Sequence, residues 1–114
     1  DDSVEPTEGV SSTDIPPKDS VEVDVEPRVI SRAEPRYPEE ALRNGLTGDV
    51  FLKVWVNKIG QVRRAYVESS SDPIFQKPSL RAVVQWKFEP ARFKGNPVDT
   101  WIHIPFKFRL AGVR

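Results

Sequence analysis

His103 is the only histidine in the chain, and there is no cysteine. A metal centre built on imidazole or thiolate needs further ligands at short spacing. None stands near His103 in sequence, so it is expected to hydrogen-bond or pack, not to hold a metal. Ser69, Ser70, Ser71 and Asp72 place three hydroxyls and a carboxylate in a row. Nucleophilic catalysis would require a general base aimed at one of them, and no recognisable partner accompanies them. That run is expected to cap a helix instead. Gly45 and Gly48 lack the spacing and the lysine of a phosphate loop. Glu39 and Glu40 are adjacent and point to different faces of a helix, so they make no paired acid–base site. The chain is therefore read as a non-enzyme without cofactor or metal.

Charge raises a second possibility. The formal net charge of zero hides an asymmetry. Residues 1–27 hold nine acidic residues (Asp1, Asp2, Glu5, Glu8, Asp14, Asp19, Glu22, Asp24, Glu26) and one basic residue, Lys18. Of the seventeen basic and seventeen acidic residues in the whole chain, residues 28–114 thus keep sixteen and eight, which leaves them at about +8. A basic domain with Trp55, Trp101 and Arg109 could stack single-stranded bases on a sheet. No RNP-like run occurs, however, and the acidic arm would compete, so nucleic acid is not an expected partner. The arm itself also contains Pro6, Pro16, Pro17 and Pro27 and no aromatic residue. Such a composition cannot bury enough apolar surface to offset ordering entropy. Residues 1–27 are expected to form a flexible linker, disordered to about Asp19, and residues 28–114 the folded domain. A fold-back of the arm onto the basic surface is the alternative reading. Val21, Val23 and Val25 alternate with acids, a pattern that fits either linker or a short added strand.

The elements that must position these groups follow from apolar spacing. Pro35 and Pro38 hold Glu34 and Tyr37 extended. Pro38 suits the first turn of a short helix, with Glu39 and Glu40 at its positive end, Arg43 at its negative end, Ala41 and Leu42 as its apolar contacts, and Gly45 or Gly48 as its stop. Val50, Leu52, Val54 and Val56 alternate through a first strand, and Asn57, Lys58, Ile59 and Gly60 form a hairpin loop. A second strand spans residues 61–69, with Val62 and Tyr66, or Ala65 and Val67, facing inward. Leu80, Val83, Val84 and Lys87 follow helical spacing in a run that ends at Trp86, closed by Glu89-Pro90. Lys94 to Pro97 is a turn. The last strand covers residues 98–110 and buries Ile102, Ile104, Phe106, Phe108 and Leu110.

The expected fold is α+β, in the order α-β-β-α-β. A right-handed crossover places the third strand beside the first, giving a small three-stranded antiparallel/mixed sheet in spatial order two-one-three, with both helices on one face. Pro105 has no N–H for a ladder, so the last strand belongs on an edge. That edge is long and rich in aromatics, and proteins usually blunt such edges. Two readings stay open: an edge covered by the chain terminus or by a second copy of the domain, or a docking edge for an extended peptide.

The segment from Glu34 to Gly48, Gly60 in the hairpin, Ser69-Ser70, Trp86-Lys-Phe-Glu-Pro90 and Pro105-Phe-Lys-Phe108 together resemble the C-terminal domain of TonB proteins. The resemblance covers residues 28–110. It implies a periplasmic module that grips the TonB box of an outer-membrane TonB-dependent receptor by strand addition. It also implies an inner-membrane anchor helix upstream, absent from this chain, that associates with a motor complex of ExbB/ExbD type. Proton-motive energy would then drive uptake of siderophores, cobalamin or similar cargo. Carried onto this sequence, the partner-binding residues are Glu34, Pro35, Arg36 and Tyr37 in the loop and Asp99, Thr100, Trp101, Ile102, His103, Ile104 and Pro105 on the edge strand. Glu34, Glu39 and Glu40 stand where well-studied members carry glutamine or arginine, which implies a basic partner surface or a different client. A TolA-like cell-envelope adaptor is the alternative, and edge pairing leaves a homodimer open. No apolar run reaches the ~20 residues that span a bilayer. With no signal peptide and no initial methionine, the chain is expected to be a fragment or a processed product.

Overall fold

The computed structural model describes residues 16–18 and 21–110. The expected disorder of the arm up to about Asp19 therefore falls, apart from residues 16–18, outside the described residues. The elements are β1 (Arg28–Ser31), α1 (Glu39–Arg43), β2 (Gly48–Val56), β3 (Val62–Ser70), α2 (Gln76–Val83), β4 (Lys87–Glu89), β5 (Ala91–Phe93), β6 (Asn96–Val98) and β7 (Thr100–Phe108). A single 3-10 turn, Pro73–Phe75, leads into α2.

The main sheet has the expected order, β3-β2-β7, and both neighbours run antiparallel to β2. Val50, Leu52, Val54 and Val56 face the helices and are fully buried. They pack with Ala41 from α1, with Phe75, Leu80 and Val83 from the second helical segment, and with Ile104, Phe106 and Phe108 from β7. Ile102 packs against this core half-buried. Period-two alternation on two strands and one apolar stripe on α2 thus close a single core.

Several local details differ from the sequence reading. Pro38 is extended (φ −62°, ψ 138°) and precedes α1 instead of lying in its first turn. Its carbonyl accepts from the Leu42 N–H at 3.0 Å. Leu42 is 49% exposed, so only Ala41 supplies the buried contact of so short a helix. In β3, Val62, Ala65 and Val67 all turn toward the core while Tyr66 turns away. The irregularity in the β2–β3 register at Arg63 causes this, because the extra residue resets the alternation between Val62 and Ala65.

Helix α2 ends at Val83, and Lys87 is exposed in β4. Residues 87–89 alternate exposed, buried, exposed, a strand pattern that pairs with Arg28–Ser31. The Phe88 N–H donates to the Gly60 carbonyl at 2.9 Å. This clamp explains the glycine: Gly60 has φ +86°, and a Cβ there would lie 1.8 Å from the Phe88 carbonyl oxygen. The turn at Lys94 and Gly95 closes a small hairpin, β5–β6. Val98 belongs to that hairpin, so the last strand begins only at Thr100.

Candidate functional site

β7 lies at the edge of the main sheet, as Pro105 requires. The outward direction of its backbone can be worked out group by group. In an antiparallel ladder the N–H and C=O of one residue point the same way, and successive residues alternate. The Asp49 carbonyl accepts from the Ser71 N–H, and the Asn57 N–H donates to the Gln61 carbonyl, both at 2.9 Å. Odd-numbered residues of β2 therefore bond toward β3, and even-numbered ones toward β7. The register pairs Val54 with Ile102, Leu52 with Ile104 and Val50 with Phe106. Trp101, His103, Pro105 and Lys107 consequently turn their backbone groups to the open side. Proline falls in this outward set, where its missing N–H breaks no internal bond.

The two edges of the sheet differ. β7 pairs with β2 through nine consecutive residues without irregularity. β3 is interrupted twice. Bulges twist and blunt an edge, so β3 is protected and β7 is not. From Trp101 to Lys107 the open side runs about 20 Å. The Trp101 carbonyl already accepts a long bond from the Thr100 hydroxyl, at 3.4 Å.

Side chains divide accordingly. Thr100, Ile102 and Ile104 face inward, and Thr100 and Ile104 are buried. Trp101, His103 and Pro105 lie on the face away from the helices. His103 Nε2 stands 3.4 Å from Glu68 Oε1, an exposed pair. It makes a polar contact and does not pack. Among the described residues no cluster of His, Cys, Asp or Glu could hold a metal. Asp99 sits between β6 and β7, and its carboxylate accepts from Trp55 Nε1 at 2.9 Å.

Trp55 is only 3% exposed, contrary to its reading as an exposed stacking residue. Trp101 covers it (ring centroids 6.2 Å apart), and Tyr66 lies 5.8 Å from Trp101. Lys53 Nζ is 4.7 Å from the centre of the Trp101 ring, within the range of a cation–π contact. The outer face of the sheet thus carries an aromatic platform, of which Trp101 is the half-buried outer member. Three of its members are separated in sequence by the hairpin and by the whole helical crossover, so spacing alone could not assemble it.

The loop residues sit elsewhere. Tyr37 meets β7 at Phe108, with ring centroids 5.6 Å apart, and also touches Phe75 at 5.8 Å. Its hydroxyl donates to the Leu46 carbonyl. It is a structural anchor at the far end of β7 from Trp101. Pro35 is half-buried, while Glu34 and Arg36 are exposed and line a groove of about 340 Å³ against Pro78 and Arg81 of α2 and Gln85 just after it. The two candidate segments therefore do not form one pocket. They lie toward opposite ends of the same strand.

Comparison with known proteins agrees with this geometry. Residues 33–110 match the family model described as "Gram-negative bacterial TonB protein C-terminal". The chain is 36% identical over 91 residues to protein TonB of Vibrio cholerae, covering 79% of this chain and 37% of that protein. It is 34% identical over 77 residues to protein tonB2 of Pseudomonas aeruginosa, covering 67% and 28%. The chain therefore spans about a third of the length of these relatives. The solution NMR structure of the Pseudomonas aeruginosa TonB C-terminal domain superposes with a TM-score of 0.66 at 24% identity, covering 80% of this chain and 93% of that one, which shows a shared fold. With its sheet order, its open last strand and this match over most of its length, the chain belongs to the TonB C-terminal domain family.

Proposed function

We propose that this chain is the receptor-engaging periplasmic domain of a TonB-type energy transducer, and that it takes an extended receptor segment, the TonB box, as an added strand on β7. The observation that carries this reading is the unbroken edge with outward N–H groups at Trp101, His103 and Lys107, beside an opposite edge that is blunted. Backbone bonds from an added strand supply affinity, and alternate side chains meeting Trp101 and His103 supply selectivity. Glu34 and Arg36, held off the far end of β7 by the Tyr37 anchor, suit a second contact with the receptor. Residues 1–27 serve as the linker toward an inner-membrane anchor and a motor complex of ExbB/ExbD type. The domain binds and pulls; it does no covalent chemistry.

An amide NMR titration with a synthetic TonB-box peptide tests the docking, and two proline variants locate it. His103→Pro removes an outward N–H. It is expected to fold normally and to weaken peptide binding at least about tenfold, the loss of one or more backbone bonds. Ile102→Pro removes an N–H bonded to β2 and is expected to destabilise the domain by about 3 kcal/mol or more. Shifts centred on residues 101–107 in the parent chain are expected. Undiminished binding by a folded His103→Pro variant would rule out strand addition at this edge.

A further inference from the structure

The aromatic platform on the outer face already has an occupant. Trp101 Nε1 donates to the Pro17 carbonyl at 2.8 Å, across 84 positions of sequence. Consecutive prolines such as Pro16 and Pro17 favour an extended polyproline conformation, because each ring fixes φ near −65°. A polyproline conformation makes no internal hydrogen bonds, so its carbonyls can accept from an indole. An indole N–H presented at the rim of an aromatic surface is the chemistry by which proline-rich segments are recognised.

A second fixation holds the arm in reach. The Asp24 and Val25 amides donate to the Arg92 carbonyl at 2.7 and 3.1 Å, and the Arg92 amide donates to the Val25 carbonyl at 3.0 Å. Asp24 Oδ2 accepts from the Lys94 amide at 2.6 Å. Pro17 and Asp24 are thereby each attached to the domain. Tethering converts a weak contact into an intramolecular one at an effective concentration in the millimolar range. The acidic character of residues 1–27 against the basic excess of the remainder favours the same approach.

We propose that the Pro16-Pro17 segment is a latch docked on Trp101, and that it gates the adjoining end of the β7 edge. Trp101 belongs to both surfaces. Its indole holds Pro17, and its backbone N–H and C=O open the edge. A strand added along β7 brings a side chain against the Trp101 ring, where the proline segment lies, so strand addition and the closed latch compete. The gating, though not the latch, rests on the strand-addition reading of the edge.

The test uses the full chain and a Pro16→Gly/Pro17→Gly variant, which alters no residue of the sheet. Hydrogen exchange of the Trp101 indole N–H is measured in both, and the affinity of each for a synthetic TonB-box peptide is titrated. Opening the latch is expected to speed indole exchange at least about fivefold. It is also expected to tighten the peptide Kd about three- to tenfold, as expected when a largely closed state is made competent. Unchanged indole exchange overturns the latch. Faster exchange with an unchanged or weaker Kd overturns the gating. If the peptide binds neither chain, strand addition fails and gating fails with it, while the indole exchange still decides the latch.

Discussion

Trp86 and Trp55 show what a single residue contributes and how far it can be read. Trp86 is 7% exposed, packs edge-on to Phe106 at 5.5 Å and lies under the Arg32 guanidinium at 5.0 Å. Its indole N–H donates to the Ala33 carbonyl at 2.9 Å, pinning the start of the loop that holds Glu34 and Arg36. Trp86→Ala is expected to cost about 3–5 kcal/mol, the range for a large buried aromatic, measurable as a shift in the urea midpoint. Trp86→Phe keeps most of the ring and loses the bond, so about 1 kcal/mol is expected. The burial of Trp86 was legible from its place at the end of an apolar helical run. That of Trp55 was not, because the groups that cover it, Asp99 and Trp101, come from the other end of the folded domain. A tryptophan on the mixed face of a strand looks exposed until its cross-strand neighbours are known.

At the scale of elements, the strongly periodic ones were legible and the short ones were not. Alternation over nine residues marked β2 and β7, and Pro105 marked which of them lies at an edge. β1 and β4 span four and three residues. They exist because they pair with each other, a non-local contact that leaves little periodic trace. With β4 leaving no periodic trace, the apolar spacing alone extends the second helix to Trp86, three residues past its end at Val83. Gly60 gives this pairing a direct test. Gly60→Ala must hold φ +86° and a Cβ against the Phe88 carbonyl. A loss of more than about 3 kcal/mol is expected, as backbone strain and overpacking combine. Gly45 also has a positive φ, +66°, but nothing lies within 4 Å of its would-be Cβ. Gly45→Ala should therefore cost only the left-handed conformation, about 1–2 kcal/mol. Thermal unfolding of the two variants side by side separates conformational strain from the β4 clamp. The edge itself was legible as an edge, but its outward-facing groups needed the register, since the side on which an N–H points depends on a partner strand.

For the molecule as a whole, the arm and the domain are joined by a graded series of attachments. The docked receptor strand would hold β7, which is bonded along its length to β2 in the middle of the sheet. The other end of the load path enters through the arm. It passes the Pro17 contact with Trp101, the Val25 bridge to Arg92, and then β1, whose four residues are all exposed. Only at Ala33, tied to Trp86, does it reach the core. Tension applied at the N-terminus should therefore act first on shallow attachments and last on the sheet. Releasing residues 17 to 33 lengthens the chain by their extended length, roughly 50 Å at about 3.3 Å per residue, less the distance that they already span on the domain. A single-molecule pull between the N-terminus and an anchored peptide on β7 is expected to show that extension at low force before any cooperative rupture. The pairing of β1 with β4, which looks like a minor ornament of the fold, would then act as a mechanical fuse: it pays out chain under a sudden load, so that a strand held on β7 would be the last thing to let go.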